Sequence, residues 1–115
     1  MKNNHSRFGA YMSIEIASTY NPLPMTWAQA NDYVKTLGEG WRLPTDVELE
    51  ALYADKEEFF NDLFENADVT FASVSFWTSR ESLDDCAWYL NAYNGAMAYG
   101  QKKFPYHMVW AVRDL

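Results

Sequence analysis

Residues 38–52 read GEGWRLPTDVELEAL, a stretch in which two glycines lead into an extended piece and then into an acidic helix. Trp41 and Leu43 are two positions apart, so an extended chain points both side chains to the same side, toward the core. Pro44 disfavours helical backbone at Leu43 and keeps this piece extended. The stretch therefore predicts a short, partly buried strand that is followed at once by a helix.

The predicted helix carries its own start signal. Thr45 and Glu48 are three residues apart, the spacing of a capping box in which each side chain binds a backbone N–H of the other residue. Its buried stripe is predicted to consist of Leu49, Leu52 and Tyr53. The local pattern does not explain why residue 42 is an arginine, and two interpretations stay open. Arg42 pairs with a nearby carboxylate, or it binds an anionic ligand.

A second helix is predicted upstream, after a strand and a loop. Residues 8–18 alternate in part between apolar and polar and predict a half-buried strand, whereas 19–25 hold two prolines and predict a loop. Thr26 and Gln29 form another capping box. The apolar stripe of this helix is Trp27, Ala30, Val34 and Leu37. Gly38 is placed to end it with a left-handed residue.

The second half of the chain changes from helical to extended patterns. A third short helix is predicted to start at Asp55, with Glu58 in its third position. The predicted strands are 71–79, 86–93, 96–101 and 108–113, with a charged loop at 80–85 and another loop at 102–107. Two or three helices followed by such strands predict an α+β domain, with the helices packed on a mostly antiparallel sheet.

The hairpin between residues 86 and 101 can be given a register. Asn94-Gly95 is a strong signal for a two-residue turn, which pairs Tyr93 with Ala96 and Tyr89 with Gly100. One face of the hairpin then carries Trp88, Leu90, Ala92, Met97 and Tyr99. The other carries Tyr89, Asn91 and Tyr93 above the small residues Gly100, Ala98 and Ala96.

Composition and charge limit the classes of function that the chain can have. The 115 residues are 49% hydrophobic, enough for one domain over 1–115, with residues 1–7 expected to be disordered. The formal net charge of −7 disfavours direct binding to nucleic acid. No apolar run reaches the roughly 20 residues of a membrane span, and the start has no apolar signal core. Cys86 is the one cysteine. We therefore expect a cytoplasmic protein without contact to a membrane.

Three pieces of the sequence together resemble a known family. They are MTWAQANDYVKTLGEGWRLPTDVELEALY, FWTSRES, and CAWYLNAYNGAMAYGQKKFPYHMVWAVR, in this order. The chain from about Met25 to Arg113 thereby resembles the Lcl C-terminal-like family. The resemblance implies a C-type-lectin-like fold with adjacent N- and C-terminal strands, and some relatives are adhesive modules that bind polysaccharide. The calcium-binding motifs of the wider lectin-like fold, such as Glu-Pro-Asn, do not occur here.

The sequence offers little for catalysis or cofactors. Glu81, Asp84 and Asp85 are possible calcium ligands, but their spacing matches no known calcium loop, so we interpret them as a solvated acidic loop. Cys86 with His107 as base is a possible nucleophile, but Cys86 is in phase with the apolar face of its strand, and a buried, inert thiol is the favoured interpretation. We expect no enzyme, no metal and no cofactor.

Two surfaces are candidates for binding. The first is an aromatic shelf of Tyr89, Asn91 and Tyr93, which suits stacking on a sugar or a partner if no other element covers it. Flanking loops add Arg80, Glu81, Asp84, Asp85, Tyr106 and His107. The second surface is an acidic docking face. Residues 46–68 hold nine acidic residues and one lysine, a formal charge of −8, and this face includes Glu50, Glu57, Glu58 and Asp62.

The leading functional hypothesis is a non-enzymatic binding module that recognises a protein partner, as a phage or bacterial accessory protein could. A carbohydrate-binding module that uses the shelf is the first alternative. An acidic inhibitor that occupies a nucleic-acid-binding protein is the second. The sequence leaves the oligomeric state open.

Overall fold

The computed structural model describes residues 13–55 and 74–115, which form two helices and eight strands. The helices are α1 (Trp27–Lys35) and α2 (Asp46–Asp55). The strands are β1 (Ile14–Ile16), β2 (Asn21–Met25), β3 (Trp41–Arg42), β4 (Ser75–Ser82), β5 (Cys86–Asn91), β6 (Met97–Gln101), β7 (His107–Val109) and β8 (Val112–Asp114). Residues 1–12 and 56–73 lie outside these ranges, and so do the predictions made for them. These predictions are the start of the first strand, the terminal disorder, the body of the third helix and residues 71–73 of a strand.

The strands form two sheets. A three-stranded sheet has the order β1-β8-β3, and a five-stranded sheet has the order β2-β7-β4-β5-β6. All pairs are antiparallel except β4 with β7, which are parallel. The predicted α+β class, with two helices and mostly antiparallel sheets, is therefore confirmed. Ile14 of β1 lies opposite Asp114 of β8, so the two ends of the described chain meet in the smaller sheet.

Each helix packs on its own part of the core. The α1 stripe of Ala30 and Val34 lies against Leu43, Trp77 and Val109. The α2 stripe lies in the second cluster, whose members include Leu49, Leu52, Phe76, Leu90 and Trp110. Burial of these apolar side chains is the main stabilising term. The helices thus cover the five-stranded sheet.

Residues 41–45, Trp-Arg-Leu-Pro-Thr, which we call the W-R-L-P-T turn, have the predicted local structure. The Thr45 hydroxyl accepts from the Glu48 N–H at 3.0 Å, and a Glu48 carboxylate oxygen accepts from the Thr45 N–H at 2.9 Å. Leu43 is buried and Trp41 packs at the edge of the same cluster, so both face the core as predicted. The same reciprocal bonds join Thr26 and Gln29. Both capping boxes are confirmed.

The Arg42 side chain forms ion pairs with two carboxylates of the fold. Its guanidinium donates to both carboxylate oxygens of Glu48 at 2.8 Å and also to Asp114 at 2.8 Å. The first of the two interpretations of Arg42, a structural ion pair, is therefore correct. The bonds tie β3 to the start of α2 and to β8.

The interpretation of residues 19–25 as a loop was wrong for residues 21–25. Asn21–Met25 form β2, which pairs with β7 at the edge of the five-stranded sheet. An edge strand tolerates proline where the missing N–H would face away from the neighbouring strand. Only Asn21 and Met25 are registered against β7, and Pro22 and Pro24 lie between them.

Other strand boundaries also differ from the prediction. Arg80, Glu81 and Ser82, from the predicted charged loop, are not in a loop, because β4 continues through an irregularity after Trp77 to Ser82. The predicted strand 108–113 is divided into β7 and β8, which belong to different sheets. The chain changes sheets at Trp110 and Ala111.

The predicted hairpin register was wrong by two residues. Leu90 pairs with Met97, and Tyr89 pairs with Ala98 rather than Gly100. The turn is longer than two residues, because the Asn91 N–H donates to Ala96 O across it. A type I′ turn at Asn94-Gly95 needs positive φ at both residues. Among the described non-glycine residues, positive φ occurs at Ser13 and Leu83 but not at Asn94.

Candidate binding surface

The predicted aromatic shelf is partly covered. Tyr89 stacks on the His107 ring at 3.8 Å between centroids and meets Trp77 edge-on at 6.3 Å. Beneath it, a Cβ on Gly100 would lie 3.3 Å from the Tyr89 ring, so the glycine makes room for this packing. Asn91 uses its side-chain oxygen to accept from the Tyr93 N–H at 2.8 Å. The Tyr89 side chain thus packs against neighbouring rings, and the Asn91 side chain stabilises the turn that follows β5. Tyr93 lies in that turn, beyond the end of the strand.

His107 is buried rather than part of an exposed loop. Its Nδ1 lies 2.5 Å from the hydroxyl of Ser75, which is 3% exposed. Burial lowers the pKa of His107 from 6.5 to about 4, so the ring is neutral at pH 7. Cys86 lies on the sheet face of Trp88, opposite to the face on which Tyr89 meets His107, so the two residues do not form a nucleophile and base pair.

The buried His107 predicts a loss of stability on acidification. The unfolded chain takes up a proton near pH 6.5 and the folded chain only near pH 4, so the neutral ring stabilises the fold fully above pH 6.5. This contribution is lost as the pH falls from 6.5 to 4 and amounts to about 3 kcal/mol. NMR titration of the imidazole and urea unfolding at several pH values measure it.

The control for this prediction is His107→Gln, which keeps hydrogen-bonding capacity without a titrating ring. Between pH 6.5 and 5.5, above the range in which carboxylates titrate, the stability of this variant should hardly change. A His107 pKa at or above 6 in the folded protein would contradict the prediction.

Lys102 joins the turn at 83–85 to the loop at 102–106. Its ammonium donates to a carboxylate oxygen of Glu81 and to Asp84 O at 3.0 Å, and lies 4.5 Å from the centre of the Trp27 ring. Its backbone N–H donates to Asp85 O at 2.7 Å. Four of the predicted site residues, Arg80, Glu81, Asp84 and Asp85, thus lie near one end of the sheet. Asp85 lines a cleft of about 240 Å³ there, together with residues 101–103.

At this end of the sheet the chain exposes apolar side chains that are held in place. Phe104 and Tyr106 stack with their ring centres 5.2 Å apart and their planes 21° apart. Lys103 lies over the Phe104 ring, and Tyr106 meets the buried His107 edge-on. Leu83 in the neighbouring turn is 78% exposed, Tyr106 60% and Phe104 38%. We call Leu83, Phe104 and Tyr106 the loop-end patch.

Tyr106 was among the binding residues predicted from the sequence, but Phe104 and Leu83 were not. The available signal was the run Phe104-Pro105-Tyr106, in which aromatic residues flank a proline inside a predicted loop. An apolar residue in a loop has no stripe to join, which favours exposure.

A second exposed group lies beside the start of α2, on the sheet face that also carries the buried Leu90. Arg80 lies 4.8 Å from the centre of the Trp88 ring, and Trp88 meets Tyr99 at 5.2 Å. Arg80 also pairs with Asp46 at the start of α2, at 2.7 Å. We call Arg80, Trp88 and Tyr99 the outer aromatic row. The sequence predicted the shared face of Trp88 and Tyr99 but not the arginine above it.

The acidic docking face can be located only in part. Glu50 is exposed on α2, whereas Glu57, Glu58 and Asp62 lie outside the described residues. Within the described ranges, no three His, Cys, Asp or Glu side chains come together as a metal site. Neither of the two helices has the length and hydropathy to cross a membrane.

A larger cleft of about 370 Å³ lies between β1 and the end of α1, away from the predicted residues. Tyr33, Leu37 and Trp41 line it. Glu15, which also lines the cleft, is paired with Arg113.

Comparison with protein-family models gives a match over nearly the whole chain. The model described as the Lcl C-terminal domain matches residues 3–113. Comparison with curated proteins gives no significant match.

Proposed function

The chain belongs to the Lcl C-terminal domain family, and from this we propose that it has a C-type-lectin-like fold and is a non-enzymatic binding module that recognises a protein partner. The antiparallel pairing of β1 with β8 and the two helices packed on a mostly antiparallel sheet support the fold assignment. The buried position of Ser75 and His107 supports a non-enzymatic role, because a substrate cannot reach this pair.

The loop-end patch is the observation that carries the proposed function. Exposed, clustered apolar side chains mark interaction sites, and tyrosine is among the residues that contribute most to protein interfaces. Phe104 and Tyr106 already stack on each other, and Lys102 ties their loop to the neighbouring turn. Binding to a preorganised surface loses less conformational entropy. A protein partner with an apolar pocket or groove would therefore fit this end of the sheet.

The two alternatives have weaker support. A sugar-binding shelf needs free aromatic faces, and Tyr89 uses one of its faces to stack on His107. An acidic inhibitor would use the acidic docking face, and of the four residues named for it Glu50 lies in the described part of the chain. The protein-binding proposal is supported by the stacked rings of Phe104 and Tyr106, which lie in the described part of the chain.

The test is affinity capture from the native host with the wild-type chain and the Phe104→Ser/Tyr106→Ser double variant, followed by calorimetry with the purified partner. We expect the double variant to weaken binding by about 30-fold, as expected for a loss of about 2 kcal/mol at an interface centre. Tyr93→Ser is the matched control, because Tyr93 lies in the turn at the opposite end of β5.

Glycan binding is measured with the same three proteins. A reproducible glycan ligand that depends on Phe104 and Tyr106, with no captured protein, would replace the protein partner by a carbohydrate. Equal capture by all three proteins would show that the loop-end patch is not the interface.

A further inference from the structure

The five-stranded sheet has two edge strands of different character. β2 carries Pro22 and Pro24, which lack the N–H groups that an added strand would need, and proline is a common protection of sheet edges. β6, at the other edge, reads MAYGQ and holds neither a proline nor a charged residue. Within the described part of the chain, β6 has β5 as its one neighbour. β6 is therefore the edge that can pair with another strand.

The backbone groups of β6 that face outward follow from its hydrogen bonds to β5. Ala96 O accepts from the Asn91 N–H at 2.9 Å, and the Lys102 N–H donates to Asp85 O at 2.7 Å. Since alternate residues of a strand point their backbone groups to the same side, Ala98 and Gly100 also face β5. The N–H and C=O groups that point away from β5 belong to Met97, Tyr99 and Gln101.

We propose that β6 pairs with β6 of a second copy of this chain, antiparallel and centred on Tyr99. In this register Tyr99 lies opposite Tyr99 of the second copy, and Met97 lies opposite Gln101 of the second copy. The two Tyr99 residues then exchange both N–H···O=C bonds, and the Gln101 N–H of each strand meets the Met97 carbonyl of the other. Gln101 O accepts from the Phe104 N–H of its own chain at 3.3 Å and adds no bond between the copies. No like charges face each other within the pair, because β6 has no charged residue.

The side chains of the outer aromatic row fit the same register. Tyr99 is 54% exposed and already pairs with Trp88 on the neighbouring strand. Pairing at Tyr99 places the two tyrosines side by side on one sheet face and joins the rows of both copies. Cross-strand aromatic pairs stabilise sheets, so the contact gains both burial and ring packing.

Charge complementarity supports a second copy as the occupant. In this register the turn after β6, which holds Lys103, lies beside the turn before β6 of the second copy, which holds Gly95. Gly95 packs against the ring of Tyr53 on α2, a helix with four acidic residues and no basic one. Lys103 thus approaches an acidic helix. The strands that pair have five residues each, so the interface belongs to the small, weak class below about 1,200 Å² and the dimer is reversible.

Sedimentation equilibrium of the full chain, from micromolar to millimolar concentration, tests the proposal. We expect the mass to rise about twofold from the 13.4 kDa of one copy. Tyr99→Pro removes an outward N–H without touching the bonds to β5, and this variant should stay at the mass of one copy. Tyr99→Lys keeps the N–H but sets like charges opposite each other, and it should also prevent the increase.

Two further variants separate this contact from other surfaces. Lys103→Glu should weaken dimerisation several-fold, whereas Lys35→Glu, at the exposed end of α1, should leave it unchanged. Phe104→Ser/Tyr106→Ser should also leave it unchanged, so this proposal and the proposed function can fail separately. A wild-type mass of one copy at millimolar concentration would overturn the homodimer. The candidate partner of β6 would then be an extended segment of a different protein. A dimer that persists in both Tyr99 variants would overturn it as well.

Discussion

Arg42→Met is expected to lower the free energy of unfolding by about 3 kcal/mol. Arg42 binds both oxygens of Glu48, whose side chain is only 10% exposed. Burial alone would raise the pKa of Glu48, but the hydrogen bonds from Arg42 and from the Thr45 N–H hold it below its ordinary value. Removing the guanidinium leaves a buried carboxylate without its counter-charge. The hydrogen bonds that connect β3 with the start of α2 and with β8 are lost at the same time.

Urea unfolding at pH 7 measures the loss, and two variants show its cause. Arg80→Met removes an arginine that pairs with Asp46 and is itself 55% exposed, so it should cost less than about 1 kcal/mol. Adding Glu48→Gln to Arg42→Met removes the unpaired charge but keeps an oxygen to accept from the Thr45 N–H, and part of the stability should return. An Arg42→Met variant as stable as Arg80→Met would refute the role of this ion pair.

The W-R-L-P-T turn shows which part of a fold can be predicted from one sequence. Both capping boxes join residues three positions apart, so their geometry follows from helix chemistry alone. Arg42 also has a local partner, Glu48, but its other partner Asp114 lies 72 positions away. No local pattern identifies such a contact. The sequence therefore suggested an ion pair for Arg42 without naming both carboxylates.

The errors in the strands also have physical reasons. Pro22 and Pro24 read as a loop because proline is excluded from central strands, yet β2 is an edge strand. Asn94-Gly95 predicted a two-residue turn, but the Asn91 and Asn94 side chains accept backbone N–H groups of Tyr93 and Ala96 and stabilise a longer turn. Such side-chain bonds compete with the preferred turn types.

The candidate binding residues were harder to predict than the fold. Strand alternation gave the correct face for Tyr89, but the ring that covers it comes from His107 on β7, a strand distant in sequence. The loop-end patch depends on how the turn at 83–85 meets the loop at 102–106, through the contacts of Lys102. Contacts between loops follow from the assembled sheet and are not encoded in either loop alone.

Trp77→Ala is expected to have the largest effect on stability, about 4 kcal/mol. Trp77 is fully buried in the cluster between α1 and the five-stranded sheet. Its indole N–H donates to Met25 O at 2.8 Å, and its ring meets His107 edge-on at 4.5 Å. Truncation leaves a large cavity, removes the bond that holds β2, and loosens the ring that supports His107. These losses fall on one cluster, so they act together.

Differential scanning calorimetry measures this loss as a fall in Tm of about 15 °C or more, for a chain of this length. Trp88→Ala is the matched control. It deletes the same side chain from the half-buried outer aromatic row, where solvent fills the space, and should cost about 1 kcal/mol. Trp77→Phe keeps most of the volume but loses the bond to Met25 O, and should fall between the two. Equal Tm values for Trp77→Ala and Trp88→Ala would show that the sheet is not held to α1 and β2 through Trp77.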